Sequence, residues 1–179
     1  DAPVVAIPRS LLFYEMFPFW NAFFSELGLR VITSPKTTKK IINQGCESIV
    51  EEVCFPVKVA LGHTLELLKN KPDYLFVPCI VNAEPMHKES DGTAICPLVQ
   101  GFPYMSDAAL DFSQYKTKVL RPTFHFGNPD LKREITKFAR ELGYAGAKVK
   151  RAIDMAFGAL HTFKASMLDR KSTRLNSSH

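Results

Sequence analysis

Four short apolar runs, VVAIP, RVITS, DYLFVPCI and KVLRPTFHF, recur along this chain, and a stretch with helical spacing follows each of them. Near-continuous apolar strands belong to parallel sheets, whose two faces are both covered by helices. Right-handed crossovers then leave few topologies. The order βαβααβαβαα predicts an α/β fold: a small doubly wound parallel sheet of about four strands, Rossmann-like or flavodoxin-like, with helices on both faces.

The helical stretches carry their own punctuation. An aromatic-rich segment from about Leu11 to Leu27 is stopped by Gly28, and Pro18 inside it marks a kink or a second start. Thr37 or Thr38 caps a helix through KKIINQGCESIVEEV. Pro56 suits a first helical turn, and Val57, Leu61, Leu65 and Leu68 then share one face. A loop, VNAEPMHKESDGTA, leads to a helix near Cys96-Pro97. Asn128-Pro129 opens another, with Leu131, Ile135, Phe138 and Leu142 inward, and a last helix spans about Lys148 to Leu168.

At 179 residues the chain suits one domain, with no linker or repeat, and 46% hydrophobic residues supply a core. Its longest apolar stretch, LLFYEMFPFWNAFF, is interrupted by Glu15, Pro18 and Asn21 and falls short of the roughly 18 residues of a membrane helix. A chain that begins at Asp1 and enters a strand at Val4 reads as part of a longer frame. The terminal KSTRLNSSH reads as translated sequencing-adaptor sequence, so residues 1–170 form the expected domain and 171–179 a non-native tail. Without Lys171 and Arg174, 21 basic residues face 18 acidic ones, and the net charge drops from +5 to +3. That is too mild for a nucleic-acid partner; Lys132, Arg133, Lys137, Arg140, Lys148, Lys150 and Arg151 read as a solvated helix face.

Four cysteines in a chain with so much core material do not read as a disulfide framework, and a reducing cytoplasm is expected. On the doubly wound frame, Cys79 ends its strand, Cys96 begins a helix and Cys54 precedes the Pro56 helix, so all three fall on the carboxyl edge where such folds build sites. Cys46 falls within a helix, away from that edge. A helix amino end favours the thiolate that binds metal. Proline adjoins or closely follows each of the three, restricting the backbone and removing a competing donor. Three thiolates with an open fourth position suit an exposed 4Fe–4S cluster, although the spacing Cys54-x24-Cys79-x16-Cys96 matches no short ferredoxin or zinc-finger pattern. Three small buried residues remain the competing reading.

The stretches VAIPRSLLFYEMFPFWNAFFSELGLRVITSP, CFPVKVALGHTLELL, DYLFVPCIVN and ICPLVQGFPYM resemble the CoA-enzyme activase-related family, over about Val4 to Leu168. The chain is also similar to the cluster-binding subunits of 2-hydroxyacyl-CoA dehydratase and benzoyl-CoA reductase. The resemblance implies low-potential one-electron transfer, with Cys54, Cys79 and Cys96 as ligands of a 4Fe–4S cluster. It implies actin-like ATPase activator domains as partners, in the same full-length chain, and an acyl-CoA dehydratase as recipient. The sequence carries no ATPase module and is shorter than a complete dehydratase subunit. Two alternatives stand beside this reading: a subunit of a 2-hydroxyacyl-CoA dehydratase-like lyase, and a non-redox zinc-binding or docking module.

Arg9, after the first strand, is placed to steady a cluster's charge or a CoA phosphate, or to face water. Lys58 lies in the first turn after Cys54, where the helix dipole disfavours a cation, and so hints at an anionic neighbour. His63 is a fourth ligand or proton donor, or more simply a packed histidine. His125, in TFHF, ends the fourth strand and looks toward the same edge. His87, with Glu84 and Glu89, reads as solvated loop, and Asp91-Gly92-Thr93 as a turn. The aromatics Phe13, Phe17, Trp20, Phe23 and Phe24 recur at helical spacing as core or interface. The sequence contains no glycine-rich phosphate loop, G-x-S-x-G elbow or H-E-x-x-H helix.

Overall fold

The computed structural model describes residues 2–84 and 93–176, the last seven as backbone alone. Strands β1 (Val4–Ile7), β2 (Arg30–Thr33), β3 (Tyr74–Phe76) and β5 (Lys118–Leu120) form a wholly parallel sheet in the order β2-β1-β3-β5. Strands β4 (Cys79–Asn82) and β6 (Thr123–His125) pair in parallel as a second, two-stranded sheet. The expected Rossmann-like α/β architecture is the one observed.

The β4–β6 ladder continues the β3–β5 ladder. DYLFVPCI becomes β3 and β4, interrupted at Val77-Pro78, and KVLRPTFHF becomes β5 and β6, interrupted at Arg121-Pro122. Proline has no N–H for a ladder, so each run loses its regular pairing there. The chains stay in register across the gap through Val77 N–H to Leu120 O (3.0 Å) and Cys79 N–H to Pro122 O (2.9 Å). One placement changes as a result: Cys79 does not end a strand but begins β4.

Alternate residues of the strands feed two separate cores. Val5, Ile7, Phe76 and Leu120 face α1 (Phe13–Glu26), α6 (Leu131–Glu141) and α7 (Gly146–Asn176). Ala6, Leu75 and Val77 face α3 (Phe55–Leu68) and α5 (Phe102–Ala109). Trp20 anchors the first core, its ring 4.7 Å from Phe76 and 5.0 Å from Phe124. Pro18 sits inside α1 without ending it. Of the inward residues expected on α6, Leu131, Ile135 and Phe138 are buried and Leu142 is partly so.

Helix α2 (Lys39–Glu47) stops six residues short of its expected end at Val53, and Thr38 caps its start by accepting from Ile41 N–H at 3.3 Å. It packs on α3 through glycine. A Cβ on Gly45 would fall deep inside contact of the Lys58 carbonyl oxygen, and one on Gly62 inside that of Ile41. Gly45 and Gly62 thus let two helix backbones touch. The last helix extends beyond the expected Leu168 to Asn176.

Candidate functional site at the carboxyl edge

In a sheet ordered β2-β1-β3-β5, the connections leaving β1 and β3 run in opposite directions, which opens a crevice between their carboxyl ends. A cavity of about 70 Å³ lies there, lined by Pro8, Leu11, Phe17, Trp20, Pro78 and Val99 among others. The β1–α1 connection that walls it holds Leu11 at φ 54°, a left-handed conformation uncommon for a branched side chain. Open α/β sheets hold ligands in such crevices, and this one is apolar.

The three cysteines stand on different elements, and none of them lines this cavity. Cys54 is the N-cap of α3, exposed, with its carbonyl accepting from Val57 N–H at 3.0 Å; Pro56 occupies the first turn as expected. Cys96 is the exposed N-cap of the short α4 (Pro97–Gln100), and Ile95 N–H bonds to Val81 O at 3.0 Å, which ties the approach to Cys96 against β4. Cys79 is buried at the start of β4. Burial pushes its thiol upward, and the Thr123 hydroxyl donating to the sulfur pulls it down. Cys46 lies within α2 as expected, but one residue from its end and next to Gly45, which packs on Lys58 in the first turn of the helix that Cys54 caps. It is therefore not set apart from Cys54 in the way its position in the sequence suggested.

The donor chemistry suits a thiolate-bound metal, but the side chains are not gathered. Among the described residues no group of three or more His, Cys, Asp or Glu side chains is placed to hold a metal ion. The thiols share an edge without forming a preassembled ligand set.

His63 is a packed histidine. It is fully buried, with Nδ1 2.8 Å from Ser34 Oγ and Nε2 2.9 Å from Thr37 Oγ1. Both ring nitrogens are occupied, which leaves neither free to bind a metal. Desolvation and, second, the nearby Arg9 charge hold its pKa below the usual histidine value. Arg9 turns toward β2: its N–H donates to Ser34 Oγ at 2.8 Å, its Nη2 donates to Thr33 Oγ1 at 3.2 Å, and its guanidinium lies over Phe13 at 5.6 Å. Its Nε is buried without a partner. Lys58 is half-buried on α3, and among the described residues it has no ion-pair partner.

His125 ends β6 in register with Asn82 and is clasped by Glu134 of α6, which accepts from its backbone N–H at 2.9 Å and lies 2.8 Å from its Nδ1. Ser34, Thr37, Thr123 and Glu134 were not singled out as site residues from the sequence. Only Thr37 had a visible signal, as a helix cap, because hydroxyls and carboxylates reveal their partners only once strands are aligned. His87, Glu89 and Asp91-Gly92 lie outside the described residues. Lys132, Arg133, Lys137, Arg140, Lys148, Lys150 and Arg151 on α6 and α7 are exposed, and Arg133, Arg151 and Lys132 pair with Asp130, Glu26 and Asp154. Among the described residues no helix is long and apolar enough to cross a membrane.

A parallel sheet covered by helices on both faces, with an apolar crevice at its switch point, is a small Rossmann-like α/β domain. Within that class the chain belongs to the family described as the CoA enzyme activase uncharacterised domain, whose sequence model matches residues 4–179. Comparisons with curated proteins and with solved structures return no match.

Proposed function

We propose that this chain is the iron–sulfur electron-transfer domain of a CoA-enzyme activase-related protein, with Cys54, Cys79 and Cys96 as ligands of a 4Fe–4S cluster. The observation that carries the reading is the placement of the thiols. Two of the three N-cap helices whose first turn contains proline, and the third follows Pro78 on the same carboxyl edge. A bound cluster supplies low-potential one-electron transfer. The chain's own part is to present the thiols: burial holds the Cys79 thiol up, the Thr123 hydroxyl offsets part of that, and helix amino ends are apt for Cys54 and Cys96. Because Cys54 and Cys96 are exposed, binding gathers the ligands rather than filling a finished cage. Actin-like ATPase activator domains are the proposed electron source, and an acyl-CoA dehydratase the recipient.

Anaerobic reconstitution with iron and sulfide tests this. The expected product is brown, with about four iron and four sulfide per chain, or half that if two chains share one cluster. A second reading, a non-redox docking module with zinc or no metal, is favoured by the ungathered thiols and by exposed Phe55, Leu98 and Tyr104 beside them. Colourless protein carrying stoichiometric zinc would select it.

A further inference from the structure

We infer that His63 is a positioning residue: as a neutral ring it ties α3, the helix capped by Cys54, to the end of β2, and its protonation releases the α2–α3 pair. The hydrogen bonds are best satisfied by the neutral form. With Ser34 Oγ accepting from Arg9 N–H, the arrangement that also places the buried Ser34 proton has Ser34 O–H donating to His63 Nδ1 and Nε2–H donating to Thr37 Oγ1. An imidazolium donates from both nitrogens. Ser34, fully buried, would then face two donors with its own proton unplaced.

Among the described residues no compensating anion is at hand. The charge that acts on the ring is Arg9, from the β1–α1 connection, and it opposes protonation. The β2–α2 segment and the start of α2 carry the exposed cations Lys36, Lys39 and Lys40, and α2 meets α3 through uncharged Ile41 and Gly45. On α3 itself stand Lys58 and Glu66, and Glu66 pairs with Lys69. Gly45 and Gly62 bring α2 and α3 into backbone contact, so the two helices move as one unit when the tie opens.

The tie itself stands on this geometry; its consequence for Cys54 as a ligand rests on the proposed function. The test is amide hydrogen exchange of the metal-free chain at pH 7.5 and 5.5, corrected for intrinsic rates, with His63→Gln and His63→Leu. An opened histidine titrates near 6.5, so protection of α2 and α3 in the wild type falls roughly tenfold between these pH values, while α1 and α7 change little. His63→Gln keeps a donor and an acceptor without a titrating group, and its protection is pH-independent. His63→Leu loses the tie and exchanges fast at both pH values. If His63→Leu does not fold, the other two proteins still decide. Equal wild-type protection at both pH values, or a His63→Gln chain that falls as the wild type does, overturns the inference. A chain that shows the release yet takes up no iron keeps the tie and removes the cluster; one that takes up iron with pH-indifferent helices does the reverse.

Discussion

On the face covered by α1, α6 and α7 the sheet is packed by rings: Phe19, Trp20, Phe23, Phe24, Phe76 and Phe124 are buried in a single apolar core. The face covered by α3 and α5 has a smaller core, and its outer helix α2 is held by two glycine contacts, a threonine cap and a histidine bonded to two hydroxyls. Aromatic packing is strong and non-directional, and it fixes an element by area. Backbone contacts and polar bonds fix it by register and have a narrow tolerance. The face that carries Cys54 is therefore the one whose position is set by few, specific groups.

Substitutions can break this contrast from either side. Phe24→Ala, which removes a fully buried ring packed on Trp20, Phe76 and Phe138, is expected to cost about 3–5 kcal/mol by urea unfolding. Gly62→Ala is expected to cost about 1–3 kcal/mol, near the upper end, because the added methyl meets backbone that cannot rotate away. Its exchange rates should rise in α2 and α3 and stay unchanged in α1.

The pH dependence follows from the lowered pKa of His63. Above about pH 6.5 folded and unfolded chains both carry a neutral ring. Below it the unfolded chain takes a proton that the folded chain refuses, so stability falls as pH falls. Wild type should lose about 1.4 kcal/mol in all relative to His63→Gln, read from paired unfolding curves between pH 7.5 and 5.5. The smallest effect belongs to Thr38→Ala, about 1 kcal/mol for one lost cap.

The sheet and its helices were legible because period and punctuation are local properties. A threonine cap at Thr37 or Thr38, Pro56 in a first turn and the inward face of α6 all follow from spacing alone, and the structure selects Thr38. The interruptions at Pro78 and Pro122 were written in the same runs, yet their effect depends on which strands pair. The early end of α2 was hidden because Ile49, Val50 and Val53 continue an apolar pattern that the turn into α3 overrides. At the site, the positions of Cys54 and Cys96 at helix starts could be read from their prolines. The Ser34–His63–Thr37 bonds join residues up to 29 apart and had no sequence signature.

The central claim is that Cys54, Cys79 and Cys96 act as one ligand set, and EPR of the reconstituted, reduced chain tests it most directly. The account predicts a reduced-cluster signal in the wild type and in Cys46→Ser, and a lost or altered one in Cys54→Ser, Cys79→Ser and Cys96→Ser alike. An unchanged signal in all three edge variants, or none in the reconstituted wild type, would contradict it.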